Sequence, residues 1–248
     1  MQLTKRIYLV GSGWAGSNFT DSHDCDIYLV DCGEKLVLID AGLGTGDNLI
    51  LDEIRRHGFR PEDIAYILLT HGHADHAGGA CGLREATGAT VLAHPDCARY
   101  ITAGDTKAIA LDEAIKAGIY PADYKFAPCP VGAIGDGEQL RVGEVTFTAY
   151  STPGHCSGHH AYLMEAQGAS ALFAGDSVFP GGKISLQALW DCSIVDYMQT
   201  VQKLLTLHFD ALLPSHFGID IKNGMQHIQT AAEIFATLEI PGQAGRGY

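Results

Sequence analysis

Several features that would place a chain in other protein classes are missing from this sequence. It has no run of 18 apolar residues, and the segment Met1 to Arg6 lacks the apolar stretch of a signal peptide. No Pro-rich or Ser-rich linker and no low-complexity tract interrupts the 248 residues. The sequence therefore predicts one globular domain over residues 1–248, with a cytoplasmic location and no membrane association.

Positive charge is also scarce. The chain has 16 Lys and Arg against 29 Asp and Glu, a formal net charge of −13. Because nonspecific binding of a phosphate backbone needs a cationic face, nucleic acid is not an expected partner. The seven cysteines are odd in number and contain no Cys-x-x-Cys pair, which indicates reduced thiols rather than a disulfide framework. The expected partner is a small-molecule substrate, and a homo-oligomer is left open.

Residues of the types that bind metals are concentrated directly after the apolar segment Ile64 to Leu69. This segment has the length and composition of a buried strand. Three imidazoles and one carboxylate follow within six positions, at His71, His73, Asp75 and His76. Nitrogen and oxygen ligands of this kind suit Zn, Fe, Mn or Co. Because the four side chains face two directions around the start of a helix, the cluster favours two adjacent metal ions over one.

Three later strand ends supply further candidate ligands. His155 follows a Pro-Gly turn, Asp176 follows an apolar strand that ends in Gly175, and His216 follows the strand 211–214. Taken singly, each is also typical of a cap or turn residue. In this order after the first cluster they support one another as metal ligands.

The series His-x-His-x-Asp-His, Pro-Gly-His, Gly-Asp and a final His resembles the metallo-β-lactamase superfamily from about Ile27 to His216. The resemblance implies that the first metal is bound by His71, His73 and His155, and the second by Asp75, His76 and His216. Asp176 would bridge both. Asp40, in Leu38-Ile39-Asp40-Ala41-Gly42, would orient a ligand imidazole, the alternative being a turn residue at a strand end.

The resemblance and the alternation of strands and helices imply an α/β fold, an αββα four-layer sandwich of two mixed β-sheets flanked by helices. Strands come first in the chain, and strands and helices then alternate. The stretch near 97–130 holds an extra helical segment with flanking aromatic residues. It is predicted to be either a lid insertion or an element sealed against the sheet.

The segment Gly11 to Gly16 matches Gly-x-Gly-x-x-Gly, but turn-rich residues follow it and lead to another strand, so no dinucleotide site is predicted. In the resembled fold the N-terminal loops overhang the metals. Trp14, Phe19 and His23 are therefore candidate substrate contacts, as is Phe179, three residues after the bridging Asp176. Phe179 stands where quorum-quenching lactonases carry a hydrogen-bonding Tyr.

The function that follows is hydrolysis of a carboxylic thioester or ester by a metal-bridging hydroxide. Two divalent ions are expected, Zn foremost, with Fe or Mn as alternatives, and Asp75 is the candidate for accepting a proton from the attacking water. Lactones and phosphodiesters are alternative substrates. A mononuclear-iron persulfide dioxygenase, with iron on His71, His155 and Asp176, is the alternative from another class.

Overall fold

The structure, a computed structural model, describes residues 1–245. The chain folds into two compact units, Met1–Ile134 and the residues from Gly135 onward. Each unit contains one β-sheet with helices. The single domain over 1–248 stays a prediction.

The sheet of the first unit has six strands in the spatial order β1-β2-β3-β4-β5-β6. The first three strands pair antiparallel, and β3 to β6 pair parallel, so the sheet is mixed. Short apolar runs form the central strands, and β3 is buried at all four of its residues, as expected for a sheet covered on both faces. The strands are β1 (Ile7–Gly11), β2 (Ile27–Asp31), β3 (Leu36–Ile39), β4 (Ile64–Leu68), β5 (Thr90–Ala93) and β6 (Gly132–Ala133).

The helices of the first unit are α1 (Asp47–Arg56), α2 (Ala74–Ala77), α3 (Ala80–Thr87), α4 (Pro95–Ala103) and α5 (Leu111–Lys116), with a 3-10 turn at Pro61–Asp63. Helix α1 is amphipathic: it buries Ile50, Leu51 and Ile54, which share one face at helical spacing. Two arginines close its last turn, where positive charge favours the helix dipole. The buried face joins the strands in one apolar core.

The sheet of the second unit has five strands in the order β11-β10-β9-β8-β7. Strands β7 to β10 pair antiparallel and β11 pairs parallel to β10, so this sheet is also mixed. Helices α6 and α7 pack with β9, β10 and β11 around a second apolar core. The elements are β7 (Gln139–Val142), β8 (Val145–Ser151), β9 (His160–Ala166), β10 (Ala169–Gly175), α6 (Ile194–Leu204), β11 (Ala211–Pro214) and α7 (Gly224–Ala236).

The observed elements agree with the predicted ones near the candidate site. Strand β2 coincides with the run Ile27 to Asp31 that the sequence predicts as a strand, and α1 begins and ends one residue earlier than the helix predicted from about Asn48 to His57. The segment Ser12 to Asp26 joins antiparallel β1 and β2, as the sequence indicated. Within residues 1–245, every helix is too short or too polar to cross a lipid bilayer.

The region 97–130, predicted as a lid or a sealed element, has an apolar cluster of its own. Ile109, Leu111 and Tyr120 are buried in it together with Leu43, from the loop after β3, and Ala74, the first residue of α2. Tyr124 also donates a hydrogen bond to the carbonyl of Leu43 at 2.7 Å. In the structure this region is thus packed against its own unit, and a closing motion stays a prediction.

Asp47, the first residue of α1, gives a prediction about stability. Its Oδ1 is buried and has no hydrogen-bond partner among the described residues. Burial, followed by the nearby Asp24 carboxylate, raises the pKa of Asp47 from 3.8 to about 6. Because the folded-state pKa is the higher one, the folded protein holds the extra proton between these values. Asp47 therefore lowers stability as pH rises from about 4 to about 6, and the full penalty persists above pH 6.

Asp47→Asn is accordingly expected to raise the free energy of unfolding at pH 8 by about 1 kcal/mol, a value discounted for partial solvent exposure. The gain should shrink as pH falls toward 4.5, because Asp47 is then protonated in the folded wild type. Urea denaturation at pH 8 and at about pH 4.5 measures this change in the free energy of unfolding. Asp52→Asn, on the same helix but exposed and paired with Arg55, is the control. An equal gain at both pH values would contradict the prediction.

Candidate metal centre

The predicted ligand cluster of the first unit lies between the end of β4 and the end of α2. The backbone of His73 is extended (φ −61°, ψ 148°) immediately before α2, which places Asp75 in the first helical turn. A carboxylate is favoured there by the positive end of the helix. His71 and His76 are completely buried, whereas His73 is partly exposed. A strand-to-helix turn thus brings the four side chains together, as the sequence predicted.

Asp40 lies behind this cluster and is itself completely buried. Its carboxylate accepts hydrogen bonds from the Thr70 amide at 2.7 Å and the Thr70 hydroxyl at 2.9 Å, and its Oδ2 is 2.9 Å from Nδ1 of His76. Because a carboxylate only accepts, Nδ1 of His76 carries the ring proton and Nε2 keeps its lone pair. This is the contact that the predicted supporting role of Asp40 requires.

Thr70 also determines the tautomer of His71. The single proton of its hydroxyl goes to Asp40, so the hydroxyl accepts from Nδ1 of His71 at 3.1 Å. Nε2 of His71 then presents a lone pair, 3.0 Å from Nδ1 of His73. Two ligand nitrogens of a tetrahedral zinc ion lie about 3.3 Å apart. The His71–His73 pair therefore fits two ligands of one metal ion.

A second pair lies beside the first. Oδ2 of Asp75 is 3.5 Å from Nε2 of His76, the nitrogen that the Asp40 contact leaves unprotonated. Oδ1 of Asp75 accepts a hydrogen bond of 2.6 Å from the hydroxyl of Tyr120. Burial, followed by the Asp75 charge, holds the pKa of Tyr120 well above its ordinary value, so the hydroxyl stays a donor. Asp75 and His76 thus form a separate oxygen and nitrogen donor pair.

Cys25 lies close to Asp40 and His76, with donor atoms of all three within 4.8 Å of one another. Burial raises the pKa of this thiol well above its ordinary value. Cys25 is thus a buried thiol next to the cluster, and the predicted donor set does not include it.

In the second unit, the carboxylate of Asp176 faces two imidazoles with different oxygens. Oδ2 is 3.5 Å from Nε2 of His155, and Oδ1 is 3.7 Å from Nε2 of His216. Asp176 is 6% exposed, and it follows Gly175, whose φ of +53° makes the turn at the end of β10. A carboxylate in this arrangement has the geometry that a bridging ligand needs.

His155 is presented by the Pro-Gly turn that the sequence singled out. Gly154 has φ +140°, and a Cβ there would lie 2.7 Å from the ring of Tyr197, so a side chain would clash. Nδ1 of His155 donates to the carbonyl of Ser185 at 3.2 Å, which leaves Nε2 for a ligand bond. The hydroxyl of Tyr197 lies 3.0 Å from the carbonyls of Ser185 and Asp176 and ties the two segments together.

His159 holds the backbone of Asp176 instead of joining the donor set. Its Nε2 accepts a hydrogen bond from the Asp176 amide at 3.1 Å, and its Nδ1 is 2.7 Å from the Thr152 hydroxyl. Both ring nitrogens are engaged. This agrees with the sequence interpretation, which did not assign His159 as a ligand.

The candidate substrate contacts differ in exposure. Trp14 is 67% exposed, and Phe19 is half-buried. His23 is half-buried, with Nδ1 3.1 Å from the Asp21 carboxylate and its ring 6.4 Å from that of Tyr120. Phe179 is completely buried and packs edge-on against Phe217. Substrate contact by these four residues stays a prediction.

The sequence interpretation missed three supporting side chains: Thr70, Tyr120 and Tyr197. Thr70 adjoins the motif, so its position next to a ligand His was a usable signal. Tyr120 is 45 positions from its partner Asp75 and Tyr197 is 21 from Asp176. Nothing in the local pattern around either tyrosine indicates these contacts.

Comparison with known proteins agrees with this fold. A sequence model of the metallo-beta-lactamase superfamily matches residues 21–216. The chain is also similar to a metallo-beta-lactamase structure from Cronobacter sakazakii (TM-score 0.73, 22% identity, 96% of both chains covered). This protein belongs to the metallo-beta-lactamase superfamily, and its α/β fold of two mixed sheets with flanking helices is confirmed.

Three curated proteins have sequences similar to this chain. The chain is 29% identical to the lactamase-like protein aptB of Emericella nidulans, over 99% of this chain and 69% of the relative. It is 29% identical to an atrochrysone carboxyl ACP thioesterase of Aspergillus fumigatus, over 82% and 53%. It is 27% identical to a hydroxyacylglutathione hydrolase of Methylococcus capsulatus, over 79% and 66%.

The aligned part of the chain thus spans only about half to two thirds of these last two relatives. Both have names of hydrolases, and the His and Asp clusters of this chain fit a metal-dependent hydrolase. The candidate donors are imidazoles and ionisable carboxylates, which are suitable ligands for a divalent metal ion.

Proposed function

We propose that this protein is a binuclear metal-dependent hydrolase of carboxylic thioesters or esters. The observation that carries the proposal is Asp176, which turns one carboxylate oxygen toward His155 and the other toward His216. Two oxygens that face different imidazoles are the arrangement expected of a carboxylate shared by two metal ions.

The candidate donors of the first unit also fall into two groups, as expected for two metal ions. His71 and His73 form one donor pair, and Asp75 and His76 form another. His71, His73 and His155 would hold one divalent ion and Asp75, His76 and His216 the second, with Asp176 common to both. Zn is the proposed metal, with Fe or Mn as alternatives.

Bound metal ions would supply a hydroxide at neutral pH and polarise the scissile carbonyl. The chain's own residues provide the rest. Asp40 and Thr70 fix the ring protons of His76 and His71, so the ligand nitrogens are prepared before metal binding. The carbonyl of Ser185 does the same for His155. Such orientation lowers the reorganisation that binding and reaction require.

The thioester class rests on the names of two relatives, a thioesterase and a hydroxyacylglutathione hydrolase. Lactonase activity has less support, because Phe179 is buried and carries no hydroxyl to assist a carbonyl. The cytoplasmic location, the small-molecule substrate and any homo-oligomer remain part of the proposal.

The test is elemental analysis of the purified protein, followed by a substrate panel. We expect about two metal ions per chain, and faster hydrolysis of aryl and alkyl thioesters than of lactones or phosphodiesters. Removal of metal by a chelator should abolish turnover, and added Zn²⁺ should restore it. One iron per chain with oxygen uptake on glutathione persulfide would overturn the proposal in favour of a dioxygenase.

A further inference from the structure

We propose that Tyr120 is a positioning residue for Asp75, which it holds so that Oδ2 alone is directed to the metal. The inference rests on the proposed function, in which Asp75 and His76 bind the second metal ion.

The hydrogen bond distinguishes the two carboxylate oxygens. The Tyr120 hydroxyl donates to Oδ1 at 2.6 Å, a short distance typical of a charge-assisted bond. Oδ2 is the oxygen that lies 3.5 Å from Nε2 of His76, its proposed partner on the metal. One oxygen is thus engaged by the protein and the other directed to the ligand nitrogen.

Packing fixes the position of this hydroxyl. The Tyr120 residue is 8% exposed and belongs to the apolar cluster with Leu43, Ala74, Ile109 and Leu111. Ala74 precedes Asp75 in the chain, so the ring packs on the same turn that carries the carboxylate. A buried aromatic ring has few accessible rotamers, so the hydroxyl is set in place before a metal binds.

The consequence concerns how Asp75 would bind a metal ion. The donor on Oδ1 engages that oxygen, while Oδ2 faces Nε2 of His76. This hydrogen bond disfavours a bidentate arrangement, in which Oδ1 would turn to the metal. Asp75 is thereby suited to a one-oxygen ligand bond.

Tyr120→Phe tests this role, because it keeps the buried ring and removes only the hydroxyl. The matched control is Tyr124→Phe, whose hydroxyl donates to the Leu43 carbonyl at 2.7 Å and whose ring centroid is 6.1 Å from that of Tyr120. Both variants lose one tyrosine hydroxyl from the same cluster. Stepwise Zn²⁺ affinity is measured by competition with a chromogenic chelator, and thermal melting of the metal-free proteins reports their folding.

We expect Tyr120→Phe to bind the second Zn²⁺ about 10-fold more weakly or worse, the first unchanged, and Tyr124→Phe to match the wild type. The visible spectrum of the cobalt-loaded protein should change only for Tyr120→Phe. At saturating Zn²⁺, kcat should fall while KM stays constant.

The outcomes separate this role from the function on which it rests. A wild type that binds one Zn²⁺ overturns the binuclear function and this role with it. Two Zn²⁺ in the wild type, with an unchanged second affinity in Tyr120→Phe, overturns the role alone. An equal loss of affinity in both variants also overturns it, since the cause would then be general loosening of the cluster.

Discussion

Asp176→Asn is expected to lower kcat/KM by more than about 100-fold, beyond the range caused by loss of an outer-sphere partner. The amide has one oxygen where the carboxylate has two, and it lacks the negative charge that balances two cations. It can therefore face His155 or His216 as a ligand, but not both. Elemental analysis after gel filtration should show that metal content falls from about two ions per chain to one or fewer.

Asp210→Asn is the matched control for this substitution. Asp210 is an exposed carboxylate of the same unit, and it accepts a hydrogen bond from the Ser170 hydroxyl at 3.1 Å. It should retain both metal content and activity. Wild-type metal content and turnover in Asp176→Asn would contradict the bridging role of Asp176. The main support for the proposed binuclear site would then be lost.

Asp40→Ala is expected to destabilise the metal-free protein by about 3 kcal/mol. The substitution removes the acceptor of two hydrogen bonds from Thr70 and of the Nδ1 contact of His76, and it leaves the buried Thr70 amide without its partner. Asp40 also has φ +61°, a left-handed conformation that costs alanine about 1 kcal/mol. Urea denaturation of the metal-free protein measures the loss.

Asp40→Asn separates stability from metal binding. Asparagine tolerates the left-handed backbone and can still accept from the Thr70 amide. Its NH₂ group, however, would donate toward Nδ1 of His76, which moves the ring proton to Nε2 and blocks the ligand lone pair. We therefore expect a smaller loss of stability than for alanine, but an affinity for Zn²⁺ about 10-fold to 100-fold lower.

The control for both variants is Asp24→Asn. Asp24 is a buried carboxylate of the same unit that accepts hydrogen bonds from the amides of Leu43 and Asp21. Its loss should affect stability without changing Zn²⁺ affinity. An Asp40→Asn variant that binds Zn²⁺ as tightly as the wild type would show that Asp40 is a turn residue, the alternative that the sequence left open.

Together these predictions describe a site whose ligands are prepared by the fold. The Thr70 hydroxyl donates a hydrogen bond to Asp40 and accepts one from His71. Asp40 also accepts a hydrogen bond from His76, so a single hydroxyl links the orientations of two imidazoles. In the second unit the hydroxyl of Tyr197 contacts the carbonyl of Asp176 itself and that of Ser185, which accepts from His155. The ring nitrogens of His71, His76 and His155 that are proposed to bind metal are thereby left unprotonated by contacts outside the donor set.

The sequence by itself determined the family, the sheet class and the candidate donors. These are local properties: His71 to His76 follow one apolar strand, and His155, Asp176 and His216 each follow another. Strand ends can be read from apolar runs and turn residues, and the ligand types can be read from the residues themselves. The order of the motifs then identified the superfamily that the comparisons confirm.

Only the tertiary structure decided the tautomers of His71, His76 and His155, the contact that each Asp75 oxygen makes and the hydrogen-bond partner of Tyr120. These depend on contacts across long stretches of chain, such as the 45 positions between Tyr120 and Asp75 or the 30 between Asp40 and Thr70. No periodic pattern specifies such contacts, because they arise from how buried side chains pack once strands and helices have assembled. The residue types of the candidate ligands can therefore be predicted from short stretches of sequence, whereas their protonation and orientation depend on the packed core.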